Sequence, residues 1–238
     1  NGVEKIISIG VDLATSEECI KLSEKYPSVY AACGYHPHEA AKAPRGYLYE
    51  LEDFYAHIKV VAVGEIGLDR WKEGLEYEGQ EEAFTAQLRI AAERNLPVSI
   101  HCLKAWGRLL ELLEEGPVPA RGFLLHSYGG SAEMIVPLAK LGAYFSFPGY
   151  YMREAKGRQR EAFTQVPADR LLIETDAPDQ LLPEELQEHT QDDPERNPIN
   201  HPANLDAIYR FMAGMLDEPL EKLEARMEEN FLHLFGGL

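Results

Sequence analysis

Short apolar, often β-branched runs alternate with stretches of helical periodicity along the chain. Residues 5–12 (KIISIGVD) read as a strand ending at an acid, Asp12. Thr15 and Glu18 then have the spacing of a capping box, which predicts a helix reaching about residue 26. Residues 29–34 (VYAACG) are the next strand and release into Tyr35-His36-Pro37-His38. Leu48, Leu51, Phe54, Tyr55 and Ile58 recur at helical spacing, and residues 60–69 follow as a strand. Residues 78–95 predict a long helix with Phe84, Leu88, Ala91 and Ala92 on one face, stopped by Asn95 and Pro97. A strand at 97–102 carries His101, and a helix at 106–115 stops at Gly116. Residues 121–125 lead into His126-Ser127-Tyr128-Gly129-Gly130, and Ser131 can cap a helix that Pro137 should kink or shorten. Strands at 142–147 and 171–173 follow, the second running into Glu174-Thr175-Asp176-Ala177-Pro178. A Pro- and acid-rich loop to about residue 202 precedes two helices, the second opened by Pro219 and stopped at Gly236.

The stretch Val60-Val61-Ala62-Val63-Gly64-Glu65-Ile66-Gly67-Leu68-Asp69 organises this pattern. Four apolar residues deliver a carboxylate between two glycines, which reads as a buried strand ending in a glycine-bracketed turn that can approach a ligand closely. Glu65, His101, His126 and Asp176 all stand at or just past strand ends. Regular strand–helix alternation implies parallel β/α units. The class expected is α/β, a TIM (β/α)8-type barrel, whose strand C-termini share one face and would gather these four residues. The doubly wound open sheet is the alternative, but no GxGxxG follows an early strand. Seven strands are legible where a barrel has eight, and the chain begins at Asn1 rather than a methionine; the expectation is a barrel with its first strand missing from this chain, lying upstream. Nothing divides residues 1–238, so one domain is expected.

Two imidazoles and two carboxylates form a ligand set for a divalent ion. A carboxylate such as Glu65 can bridge two ions that activate water and hold a phosphoryl oxygen. Taken singly, a strand-end histidine is often only hydrogen-bonded, and an aspartate after a strand is often a helix cap; Asp12 is a weaker candidate for the site, since it can simply begin the turn before Thr15. His57, His189, His201 and His233 read as structural or surface residues, and the Tyr144–Tyr151 aromatic cluster as packing rather than a stacking platform for bases.

The formal charge of −17 changes the picture in one respect: it argues against a broad basic surface for duplex nucleic acid, but not against a small metal-lined pocket for one phosphate end. Cys19, Cys33 and Cys102 show no CxxC spacing and read as reduced thiols of a cytoplasmic protein, with Cys102 a small buried residue. No apolar run has the length of a membrane span.

Assembled, Gly34-Tyr35-His36-Pro37, GEIGLD at 64–69, His101 in SIHC, His126-Ser127-Tyr128-Gly129-Gly130 and ETDAP at 174–178 make the sequence resemble the TatD family of metal-dependent deoxyribonucleases. The resemblance implies up to two ions (Mg, Mn or Zn), with Glu65 bridging, His101 and His126 on one, and Asp176 on the other while orienting or deprotonating the attacking water. It places His36 against the scissile phosphate. The family's D-x-H-x-H motif is not among the 238 residues, Leu103 stands where an arginine is frequent, with Lys104 as a substitute charge, and Tyr128 replaces a phenylalanine near the substrate. The function implied is hydrolysis of phosphodiester bonds at accessible or single-stranded DNA ends, stepwise from the 3′ end, by a chain expected to be monomeric. The alternatives are an ester or amide hydrolase, such as one acting on aminoacyl-tRNA, and a catalytically impaired barrel that serves as a binding protein.

Overall fold

The computed structural model describes residues 2–236, which form two compact units. The first comprises Glu4–His126, Lys140–Ala143 and the chain from Leu234 on. In it β1 (Ile6–Ile9), β2 (Val29–Cys33), β3 (Val60–Asp69), β4 (Val98–Leu103) and β5 (Phe123–Leu125) pair in sequence order, all parallel. The crossovers hold α1 (Leu13–Lys25), α2 (Tyr47–Phe54), α3 (Tyr77–Arg94) and α4 (Trp106–Glu115). Ala62, Val63, Ile66 and Leu68 of β3, Ile100 of β4 and Phe123 of β5 are buried, and Phe84, Leu88, Leu109 and Leu113 of the helices are likewise buried. Strands buried on both faces explain why these runs read as continuously apolar.

The second unit comprises Ser127–Ala139 and Tyr144–His233. Its elements are α5 (Ile135–Lys140), β6 (Ala143–Pro148), α6 (Gly157–Phe163), β7 (Leu171–Glu174), a hairpin of β8 (Thr190–Asp192) and β9 (Pro198–Asn200), α7 (Leu205–Leu216) and α8 (Leu220–Phe235). β6 and β7 pair in parallel, with Phe147 opposite Ile173. Phe147 stands edge-on to Tyr151 and Phe163, and Tyr128 edge-on to Phe145, so the aromatic cluster is core packing.

All seven expected strands are present, and four details differ from expectation. The capping box of α1 is built by Asp12 and Thr15: Asp12 Oδ1 accepts the Thr15 N–H at 2.8 Å, and Thr15 Oγ1 accepts the Asp12 N–H at 3.1 Å. α2 ends at Phe54, and Ile58 is 92% exposed beyond it, because the chain turns at residues 55–59 before entering β3. Pro137 falls in the first turn of α5, which is held to six residues, while α6 and the β8–β9 hairpin lacked a periodic signal. The fourth concerns the glycines: β3 continues through Gly64 and Gly67, with a shift of register against β4 between Val63 and Ile66, so they do not make a turn.

Their reason is close strand packing. A Cβ on Gly67, at φ +149°, would lie 1.9 Å from the His101 carbonyl oxygen, and one on Gly64 would lie 2.7 Å from that of Ser99. Gly67→Ala should therefore destabilise by about 3 kcal/mol, from backbone strain and overpacking together. That corresponds to a melting temperature lower by roughly 6–12 °C for a chain of this size, read by circular dichroism. An unchanged midpoint would show that β3 and β4 separate freely.

The three cysteines are free and buried. Burial pushes the thiols of Cys33 and Cys102 up to about 12 and raises that of Cys19 as well. A group at 12 is thiolate in only about one molecule in ten thousand at pH 8. The native chain should react with a thiol reagent far more slowly than the unfolded chain, which should release three equivalents.

Candidate metal centre

Side chains two apart on a strand face the same side, so Glu65, Gly67 and Asp69 of β3 share one face. Gly67 pairs with His101 of β4, and with no side chain between them the imidazole lies against both acids. His101 Nδ1 is 3.2 Å from Glu65 Oε1, and Nε2 is 3.1 Å from Asp69 Oδ2. His126, just past β5, brings Nε2 to 3.8 Å from Glu65 Oε1, and His36, three residues past β2, brings Nε2 to 3.9 Å. The structure thus brings Glu65, His101 and His126 together, with side chains only 13–15% exposed.

The two acids are treated differently. Asp69 is fully buried and fully engaged. Its Oδ1 accepts the backbone N–H of Trp71 at 2.7 Å and of Lys72 at 3.0 Å, while Oδ2 meets His38 Nε2 at 2.7 Å and His101 Nε2. Burial opposes its ionisation, but the hydrogen bonds of His101, His38, Lys72 and Trp71 outweigh it and hold the carboxyl well below the usual range. Because its folded pKa is depressed, its stabilising contribution is present above the unfolded value of about 3.9 and is lost as pH falls toward the folded one.

Glu65 Oε1 is buried with no hydrogen-bond partner among the described residues. The approach of His101 Nδ1 is near enough for a bond but lacks its angle. Burial again opposes ionisation, and the imidazoles of His126, His101 and His36 outweigh it, bringing the carboxyl down to about 2. An ionised, buried oxygen without a hydrogen bond is costly by several kcal/mol unless a cation meets it. Imidazole nitrogens and a carboxylate are the donors that divalent zinc or manganese takes, and the residues present fit such an ion.

Ligating atoms of His36 also fall within 4.8 Å of those of Glu65 and His101, but the proton inventory separates it from them. The backbone N–H of His38 donates to His36 Nδ1 at 3.2 Å, so the neutral ring carries its proton on Nε2, the nitrogen facing Glu65. Burial is the main cause that brings the His36 pKa down to about 3, so the ring is neutral. His36 therefore offers an N–H donor. For His101, burial opposes protonation, but Asp69 and Glu65 outweigh it and raise its pKa.

Two glutamines on α3 lock the backbone that carries these groups. Gln80 Oε1 accepts the Asp69 N–H at 2.8 Å and Nε2 donates to the Asp69 carbonyl at 3.2 Å; Gln87 does the same for Tyr35, at 2.7 and 3.2 Å. Gln80, Phe84, Gln87, Leu88 and Ala91 follow the spacing of one buried helix face. Asp69, Gln80 and Gln87 were not among the residues expected at the site. The signals were there: a second acid four residues after Glu65 on the same strand, and two glutamines seven apart on an apolar helix face.

The other expected residues lie as follows. Lys104 is exposed one residue past β4, with φ +53°. Tyr128 is 1% exposed and donates its hydroxyl to the Ser131 carbonyl at 2.7 Å, so the structure assigns it to the core rather than to a surface that substrate touches. Asp176, in the second unit, follows β7 with φ +56° and accepts a hydrogen bond from Gln180. Beside it in sequence, Glu174 holds the turn at Ser127: Oε1 accepts the Ser127 N–H at 2.8 Å and its hydroxyl at 2.6 Å, and Oε2 accepts the Ser146 hydroxyl.

Residues 1–236 match the family model described as TatD related DNase. The "3'-5' ssDNA/RNA exonuclease TatD" of Shigella flexneri is 36% identical over 236 residues, covering 99% of this chain and 88% of the relative. A Bacillus subtilis protein named "Uncharacterized metal-dependent hydrolase YabD" is 33% identical, over 98% of this chain and 88% of its own. Among solved structures, the TatD homologue YJJV of Escherichia coli superposes with a TM-score of 0.89 at 27% identity, covering 100% of this chain and 88% of that one. The α/β fold is that of the TatD type of TIM barrel, and the chain belongs to the TatD-related family of metal-dependent hydrolases.

Proposed function

We propose that this hydrolase removes nucleotides from the 3′ ends of single-stranded nucleic acid, DNA foremost, using Mg²⁺, Mn²⁺ or Zn²⁺. The observation that carries the reading is Glu65 Oε1, a buried anionic oxygen with no hydrogen bond among the described residues and with three imidazoles within 3.9 Å of it. The substrate comes from the relatives named as ssDNA/RNA exonucleases.

Glu65, His101 through Nδ1, and His126 would hold a divalent ion, which when bound polarises a phosphoryl oxygen and lowers the pKa of water. His36 contributes a neutral N–H, a donor for a non-bridging phosphate oxygen that leaves the local charge unchanged. Asp176 takes its role from the ETDAP motif: as a carboxylate it orients the attacking water and accepts its proton. Lys104, exposed past β4, is available as a counter-charge for a flanking phosphate. The two histidines that the resemblance expects from D-x-H-x-H are not in this sequence, and Glu65, His101 and His126 are the ligands it supplies in the first unit.

Glu65→Gln keeps the shape and removes the charge. Metal retained after dialysis, measured by elemental analysis, should fall with cleavage of a 5′-labelled single-stranded oligonucleotide, and activity should drop at least about 100-fold. Full activity in a folded variant would end this reading. Chelation should abolish cleavage and added Mn²⁺ or Zn²⁺ restore it.

His36→Ala separates donor from ligand. Metal content should stay at the wild-type level while kcat/KM falls roughly 10- to 100-fold, the value of one preorganised donor. Loss of metal in this variant would make His36 a ligand instead.

A further inference from the structure

We propose that Asp69 is the positioning residue of the metal centre: it takes the Nε2–H of His101 and so turns the Nδ1 lone pair toward Glu65. The inference rests on reading Glu65, His101 and His126 as a metal site.

An ionised carboxylate accepts hydrogen bonds and donates none. The 3.1 Å contact from His101 Nε2 to Asp69 Oδ2 therefore requires the proton on Nε2, which leaves Nδ1 of the neutral ring without one. Nδ1 then faces Glu65 Oε1 at 3.2 Å without hydrogen-bond geometry, two electron-rich atoms that a cation between them would reconcile. The carboxylate cannot turn away. Its Oδ1 is held by the N–H groups of Trp71 and Lys72, its backbone by Gln80, and Oδ2 is shared with His38 Nε2. Complete burial keeps water from competing. An oriented carboxylate behind a ligating histidine fixes both its tautomer and its ring plane.

Asp69 also closes the turn at residues 69–72, a purely structural task, and one substitution distinguishes the two. In Asp69→Asn the carboxamide oxygen keeps the Trp71 and Lys72 donors, so the turn persists. Its NH₂ then occupies the place of Oδ2 and donates to His101 Nε2, forcing the proton to Nδ1 and pointing an N–H at the metal position.

The measurement is the His101 tautomer by long-range ¹⁵N–¹H correlation NMR on metal-free protein at alkaline pH, where the ring is neutral, with Zn²⁺ affinity by chelator competition. Wild type should show Nε2–H, and Asp69→Asn should show Nδ1–H with affinity reduced about 10- to 100-fold. A folded Asp69→Asn chain with the wild-type tautomer and affinity overturns the proposal. Should the variant fail to fold, the wild-type spectrum decides: Nδ1–H on His101 there overturns it equally. Wild-type protein that binds no Zn²⁺ overturns the metal reading and this proposal together, whereas metal binding that ignores Asp69 overturns only the latter.

Discussion

Two carboxylates stand four residues apart on one face of a buried strand, and each must be compensated where water cannot do it. Asp69 is satisfied entirely by the chain, with two backbone donors on one oxygen and two imidazoles on the other. Glu65 is left with an oxygen that no hydrogen bond reaches among the described residues. That asymmetry divides the strand into a group that holds the site and a group that waits for a ligand. On the proposed reading, the charge that the fold pairs positions the site and the other receives the ion.

The remainder of the first unit serves that arrangement. Two strands carrying His101 and the acids can lie so close only because Gly67 has no side chain, and the pairing sets which imidazole nitrogen meets which acid. From the other side, α3 fastens the two peptides next to the histidine and aspartate loops through Gln80 and Gln87. Both amides are buried, so neither bond is exchanged with solvent. Ligand positions that rest on strands and locked peptides are held more closely than positions on free loops, which suits chemistry sensitive to small misplacement.

Much of this was legible in the sequence. The alternation of apolar runs with helical periods gave strands and helices, because the central runs are parallel strands buried on both faces. Glu65, His101 and His126 were legible as residues that interrupt such runs with ionisable groups at the strand ends. What the pattern could not give depends on contacts rather than composition. The role of Gly67 depends on which strand lies beside it, and a glycine after an acid reads equally well as a turn. Gln80 and Gln87 look like ordinary polar residues of a helix until the peptides they clamp are known. Tyr128 sits in a motif beside His126, yet its hydroxyl bonds locally and its ring packs against Phe145. α6 and the β8–β9 hairpin are short, and the hairpin is largely exposed, so neither left a hydrophobic period to read.

The acidity of the chain fits the proposed substrate better than it first suggests. A protein that binds long nucleic acid through its backbone needs rows of lysine and arginine, and a formal charge of −17 argues against them. A site that takes one phosphate at a strand end needs positive charge at a single point. Neutral imidazoles add none, Glu65 and Asp69 contribute one negative charge each, and one divalent ion would bring the group to about neutral, placing the positive charge at the ion itself. His36, held neutral with its proton on Nε2, adds a donor without adding charge. On the proposed reading, attraction is then confined to the reacting phosphate, and the acidic surface disfavours duplex lying flat across the protein. Preference for an end would follow from where the positive charge is, not from recognition of bases.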